Sequence, residues 1–455
     1  MRSLRVLASS IVLLCSFAVG TAAAEPPPTP EFPVPQPGSP GFLPDLQRWI
    51  DRIIPSPIQT DATAGDSAAE LAALHAAALP SPVGDPMFDQ WPDGLADRTP
   101  GELIEVRDIR ATAGPLALVP LRSASLLKFR TEDALGRPSF ATATLLVPAT
   151  DWTGPGDRPV LVNNLPIDAL GRACTPGYTL AHGLTWDTNS TDFFPPTTQL
   201  AALRGYAVLV PDHEGPWMAY AEPYTAGHAV LDAIRAVRGS DPAFDTSRFA
   251  MTGYSGGAIA THGAVKLIEP YAPELAEVIV GAALGGVPAD FEILSRSMNA
   301  NLASGVFMAA TFAIGRERPE ILSAMNNLAR WVATSPMKDQ CIGVFAIPGV
   351  LQLPIDIGAN IIDPLRSELA VEIYEITRMA GLRSTAPLYI YNGEQEFWIP
   401  ASGARNLYNE QCSLGANAVY RSVFGEHVIG AVTGYPEAML WLDERLQGVA
   451  ARSEC

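Results

Sequence analysis

Positive charge, long apolar runs and histidine are all scarce in this 455-residue chain. Lys and Arg total 30 against 48 Asp and Glu, a formal net charge of −18. Such a surface repels nucleic acid and anionic lipid, which excludes nucleic acid as a partner and favours a neutral small molecule. The most apolar stretch, Val6 to Val19, is shorter than the roughly 20 residues of a spanning helix. It follows Arg2 and Arg5 and closes on Ala22, Ala23 and Ala24, the layout of a cleavable secretory leader over residues 1–24. Lipoprotein processing at Cys15 is disfavoured, because Leu14 stands where such a site wants a small residue. Cys15 leaves with the leader, and Cys174, Cys341, Cys412 and Cys455 remain. An even number in an oxidising compartment predicts two disulfides, with three pairings open. None of the four has the CxxC or Cys/His spacing that zinc requires, so neither a metal nor a cofactor is expected.

Proline, by contrast, is concentrated at one end. The stretch from Pro26 to Pro44 is too proline-rich for helix or sheet and predicts an extended, polyproline-like spacer over residues 25–45. The segments LQRWIDRII and SAAELAALHAAAL then repeat apolar residues at helical spacing. SLLKFRT and ATATLLVP flank the turn-forming Ala134 to Pro138 and predict an opening hairpin within Ser125 to Pro148. Further on, PVLVNNL, GYAVLVPDH, RFAMTGYS and VIVGAALGG are short apolar runs that alternate with helical segments. Strands buried on both faces of a parallel sheet read this way, so the expected class is α/β, mostly parallel and doubly wound. The alternation stops after Pro288. A helical cap is expected to be inserted at residues 290–385, between a first part of the sheet body (46–289) and a second (386–455). The second part opens with PLYIYNG and ends in a helix near Tyr435 to Val449.

Chemistry concentrates at Gly253-Tyr254-Ser255-Gly256-Gly257. A bare GxSxG is common, but here a strand pattern, Phe249 to Tyr254, runs into it and a helix with small residues leaves it. A sharp strand-to-helix turn lifts a serine hydroxyl clear of the sheet and leaves main-chain N–H groups beside it. Ser255 is therefore the expected nucleophile, in the manner of an α/β-hydrolase. In that fold the acid and then the histidine follow the serine along the chain. His75, His182, His213 and His228 come before Ser255, and His262 sits seven residues on, along the elbow helix, where a packed structural role fits better. His427 remains as the base, on a loop between VYRSVF and a helical segment. The acid should follow PLYIYNG, where Glu394 and Glu396 compete; Glu396 is preferred and Glu394 stays open. Stabilising an oxyanion takes two donors, one of them the N–H of Gly256. The other should come from the loop after the strand Leu161 to Leu165, in which Asp168 reads as an ordinary turn or capping aspartate. Asp212-His213-Glu214-Gly215 reads as a structural turn, since one histidine and two acids in a tight turn lack a ligand set. Phe307, Met308, Phe312 and Trp331 could line an acyl pocket or simply fill the cap core.

Gly253-Tyr254-Ser255-Gly256-Gly257-Ala258, Asp212-His213-Glu214-Gly215, the run Ala229 to Ala236 and Tyr271-Ala272-Pro273-Glu274-Leu275 together resemble the secretory lipase family. The likeness runs from about Asp85 to the C-terminus. It implies a lipase with a helical cap over an acyl tunnel, and a triad on Ser255, Glu396 and His427. The family pattern has Asp at the Glu396 position and His where this chain has Asn392. It also implies Asp168, six residues before Cys174, as the second oxyanion residue, and disulfides joining Cys174 to Cys341 and Cys412 to Cys455. The expected substrate is a lipid ester of the acylglycerol type, with a lipid–water interface as a possible partner. The chain is expected to act as a monomer outside the cell, with cell-wall association through the proline spacer left open. A short-chain or other ester hydrolase of the same fold, or a non-catalytic secreted binding protein, are the alternatives.

Overall fold

A computed structural model describes residues 35–58, 67–189, 196–345 and 349–455; the expected leader and residues 25–34 of the expected spacer lie outside the described residues. The described end of the spacer differs from the expectation. Gly38 and Gly41 turn the chain at positive φ, and Phe42, Leu43 and Pro44 already belong to a helix, Phe42–Ile53. Proline is tolerated there because the N–H groups of a first helical turn have no intrahelical acceptor.

Within residues 43–455, which cluster as one unit, nine described strands form one sheet in the order β1-β2-β3-β5-β4-β6-β7-β8-β9. They are β1 Leu103–Asp108, β2 Leu121–Glu132, β3 Pro138–Pro148, β4 Val160–Asn164, β5 Ala207–Pro211, β6 Phe249–Tyr254, β7 Ile279–Gly285, β8 Leu388–Gly393 and β9 Ala418–Val423. The β1, β2 and β3 strands run antiparallel, as does the β3–β5 pair; from β5 to β9 every pairing is parallel. The hairpin expected around Ala134 to Pro138 is β2–β3, its turn held by Asp133 Oδ1, which accepts the N–H groups of Leu135 and Arg137.

The two faces of the sheet explain the continuous apolar runs. Val160 and Val162 of β4, with Ala207 and Leu209 of β5, pack into a core shared with the helices Pro223–Ser240 and Gly256–Tyr271. Leu161, Val208 and Val210 point the other way, into a second core with the terminal helix His427–Leu446. Side chains alternate across a strand, so burial on both faces leaves no polar positions in these runs.

Between β7 and β8 the chain leaves the sheet and forms the helices Phe291–Met298, Ser304–Glu317, Asn327–Thr334 and Glu368–Arg378, with shorter turns between them. Their apolar faces make a third core. The helix Ser67–Ala78 was expected with the sheet body, yet Leu74 and Ala78 are buried in this third core, and Glu70 pairs with Arg330. Helical periodicity identifies which face is buried but not against what, and only the tertiary fold brings this helix to the insertion.

The insertion is tied to the body through a buried arginine. Arg316 donates to the carbonyls of Ala78, Leu170, Trp217, Met218 and Lys338, from four separate parts of the chain. Burial lowers its pKa to about 9, and carbonyl oxygens take the place of the lost water. Leu170 N–H also donates to Gln340 O, and beside that contact Cys174 is bonded to Cys341. The second disulfide joins Cys412 to Cys455.

The disulfides close loops of very different length, with sequence separations of 167 and 43. Cross-linking removes more unfolded-state entropy when the loop is longer, so replacing Cys174 and Cys341 by Ser should cost about 2–4 kcal/mol. Replacing Cys412 and Cys455 should cost less. Guanidinium unfolding of the two double variants checks this; equal midpoints would contradict it.

Candidate active site

The β6 strand ends at Tyr254, and the next residue turns sharply: Ser255 has φ 55 and ψ −124. A serine at positive φ is strained by about 1–3 kcal/mol and persists only where its surroundings enforce it. Here the surroundings are main chain at close range. A Cβ on Gly253 would fall 2.1 Å from Gly257 O, and one on Gly257 would fall 2.0 Å from Asn164 O. The helix Gly256–Tyr271 can therefore leave the elbow directly over β4, and Ser255 N–H is fixed by Gly285 O of β7 at 3.0 Å.

His427 and Glu396 meet at this serine. His427 Nε2 lies 2.9 Å from Ser255 Oγ, and Nδ1 lies 2.6 Å from Glu396 Oε2. A carboxylate can only accept, so Nδ1 carries the proton and Nε2 faces the hydroxyl as an acceptor. The Glu396 side chain is fully buried, and its Oε1 accepts the N–H groups of Trp398 and Ile399. Glu394, left open by the sequence, is exposed two residues earlier. His427 differs from the sequence reading in one respect: it is the first residue of the terminal helix, not part of a loop before it. Glu426 caps that helix, accepting from Val428 and Ile429 N–H. Gly430, Gly434 and Pro436 dilute the helical pattern over its first turns, which is why the sequence suggested a start near Tyr435. Gly434 is there for packing: a Cβ would fall 2.3 Å from the ring of Tyr391.

Opposite the histidine, the loop after β4 brings Asp168 against Gly256. A Cβ on Gly256 would fall on Asp168 Oδ1, and Asp168 has φ 48. Burial pushes the Asp168 carboxyl up to about 7, against a smaller lowering by His427 and by a hydrogen bond from Tyr220. Burial and the charge of Asp168 also push the neighbouring Glu214 well above the usual carboxylate range. The turn Asp212 to Gly215 has structural work: Asp212 accepts from Gly177 N–H and Thr142 Oγ1, and His213 bonds Leu165 O just ahead of the Asp168 loop. His262 is buried on the elbow helix.

A cavity of about 600 Å³ opens from Ser255, Asp168 and His427 into the helical insertion. Its wall is largely aliphatic and aromatic, and includes Phe307, Met308 and Phe312. Trp331 is not in the wall; it is 47% exposed and donates to Pro55 O. Four contributors to the site were not singled out from the sequence. Tyr254, the variable residue of the serine motif, donates from its hydroxyl to His427 O at 2.6 Å. Trp398 lies 5.6 Å from the His427 ring, Tyr220 reaches Asp168, and Arg316 holds Leu170. For Trp398 a signal existed, its place two residues after Glu396; for Tyr220 and Arg316 no local pattern points to the serine.

The raised Asp168 has a consequence for stability. In the unfolded chain this carboxyl ionises near its ordinary value of 3.8, whereas folded it stays neutral up to about 7. Its contribution is therefore fully present below about pH 4 and is lost as pH rises through about 7, at up to about 1.4 kcal/mol per pH unit. Asp168→Asn should flatten the pH dependence of the urea midpoint over that range. An unchanged slope would mean that Asp168 ionises in the folded chain as readily as in the unfolded one.

The chain as a whole is similar to known proteins. Residues 191–454 match the secretory lipase family. The chain is 28% identical to a protein of Mycobacterium tuberculosis described as a probable inactive lipase, over 81% of this chain and 83% of that one. It is 25% identical to Lipase 1 of Candida albicans (83% and 84% covered) and 28% identical to the trichothecene C-3 esterase of Fusarium sporotrichioides (82% and 86% covered). Candida antarctica lipase A in its closed state superposes with a TM-score of 0.71 at 25% identity, over 83% of this chain and 89% of that one. The fold is thus that of the α/β-hydrolases, and the chain belongs to the secretory lipase family.

Proposed function

We propose that this protein is a secreted serine carboxylic ester hydrolase that cleaves acylglycerol-type esters through Ser255, His427 and Glu396. The observation that carries the proposal is the chain of contacts from Glu396 Oε2 to His427 Nδ1 and from Nε2 to Ser255 Oγ, placed at the end of an apolar cavity. In the first half-reaction Ser255 Oγ attacks the ester carbonyl carbon as its proton passes to His427 Nε2. Glu396 stabilises the imidazolium and keeps its tautomer. The carbonyl oxygen becomes an oxyanion, for which we assign the Gly256 N–H as one donor, in the first turn of the elbow helix where N–H groups have no intrahelical acceptor, and Asp168 as the second oxyanion residue. Collapse of the tetrahedral adduct expels the alcohol, which takes the proton from His427 and leaves an acyl-enzyme. Water then repeats the cycle, with His427 again as base, and releases the acid.

The apolar cavity wall favours a long acyl chain over a charged or sugar-like group. The name of the matched family supports a place outside the cell. The relative described as probably inactive raises a non-catalytic role, against which stand the hydrogen-bonding distances at Ser255 and His427.

A series of p-nitrophenyl esters from acetate upward is the decisive experiment. Each methylene taken from water into the cavity contributes about 0.8 kcal/mol, so kcat/KM should rise about fourfold per methylene until the cavity is filled. A flat or falling series would point to a short-chain or other ester. A fluorophosphonate should label Ser255, and Ser255→Ala should lose both labelling and turnover. Glu396→Gln should lower kcat by about 10⁴-fold by favouring the wrong histidine tautomer. Glu394→Gln should leave it nearly unchanged; the reverse pattern would move the acid to Glu394.

A further inference from the structure

The loop carrying Glu396 and the turn leading to His427 follow β8 and β9, two neighbouring parallel strands. Beyond the last strand pair the two segments stay joined. Glu394 N–H donates to Val423 O at 2.8 Å, extending the ladder by one bond. The next residue, Gln395, makes two bonds to a single partner: its N–H donates to Gly425 O at 3.1 Å, and its Oε1 accepts Gly425 N–H at 2.7 Å. Both main-chain groups of Gly425 are thereby taken by one residue.

Gly425 could not easily be held in another way. Its φ is 120, and a Cβ there would fall 2.4 Å from Ile429 Cγ2. A Cβ on Gly393 would likewise fall 2.4 Å from Gly425 O. The two segments therefore touch through glycine main chain, which has no side chain to fix its own position. On the acid side, the Ile399 peptide is gripped at both ends: its N–H donates to Glu396 Oε1, and its carbonyl accepts from Asn392 Nδ2. Glutamate has one more rotatable bond than aspartate, so its carboxylate needs this fixation. What remains to be set is the distance between the two loops.

We propose that Gln395 is a positioning residue that sets the contact between Glu396 and His427, by clamping Gly425, two residues before the histidine, to the main chain one residue before the acid. Gln395 itself touches no reacting atom. The proposal rests on the reading of Ser255, His427 and Glu396 as the catalytic groups. A solvated surface glutamine would be the plainer role for an exposed side chain, and substitution would then be silent.

The test compares two variants of the full chain with a p-nitrophenyl ester that the unsubstituted protein hydrolyses. Gln395→Met keeps the length of the side chain and removes the acceptor, while Gln395→Glu keeps an acceptor. Gln395→Met should lower kcat about tenfold with KM within about twofold, since small displacements of catalytic groups are costly. Gln395→Glu should stay within about threefold of the original kcat, because the bond to Gly425 N–H survives. Where Glu396→Gln has already broken the pair, adding Gln395→Met should cost less than about twofold more, as groups that act as one unit are non-additive. Full kcat in Gln395→Met, an equal loss in Gln395→Glu, or the same tenfold loss on both backgrounds overturns the positioning role. Absence of turnover by the unsubstituted chain on the whole ester series is a different result: it overturns the catalytic reading, and the positioning role with it.

Discussion

The site depends on one strained turn. Ser255 adopts a conformation that a serine avoids when free, and it does so because β6, β4 and the elbow helix approach more closely than any side chain permits. The glycines at 253 and 257 are the condition for that approach. Everything else is referred to it: the Gly256 N–H, the Asp168 loop packed on Gly256, and the histidine arriving from the far end of the chain all take their positions from the serine.

A second layer holds the surroundings of that turn by means of buried polar groups. Arg316 collects carbonyls from the helix Ser67–Ala78, the Asp168 loop, the turn after Asp212 and the insertion. Such a residue is costly to bury and persists because its donors are satisfied. It ties the insertion to the loop that carries Asp168. The cavity that begins at the serine is therefore lined by the same insertion that Arg316 and the Cys174–Cys341 bond anchor.

Much of the sheet was legible in the sequence, because strands buried on both faces leave unbroken apolar runs such as AVLV at Ala207 to Val210. The first strand, Leu103–Asp108, was missed for the opposite reason. It is a half-exposed edge strand reading LIEVRD, with charged residues that local pattern assigns to a loop. The end of the proline spacer and the start of the terminal helix were misplaced where Pro and Gly are read as breakers, although both are tolerated in a first turn or when a ring needs the space.

By itself the sequence determined the kinds of groups and their order: a serine at a strand-to-helix elbow, one histidine left by elimination, and an acid in a short loop after a buried strand. Those follow from local chemistry and from the chain order of the fold. Tertiary structure alone brings Glu396, and not Glu394, to the imidazole, since two carboxylates two residues apart differ only in which one faces it. It also decided that Tyr220, Trp398 and Arg316 belong to the site and that the helix Ser67–Ala78 packs on the insertion. Contacts between residues far apart along the chain are set by packing of the whole chain, and no local periodicity records them.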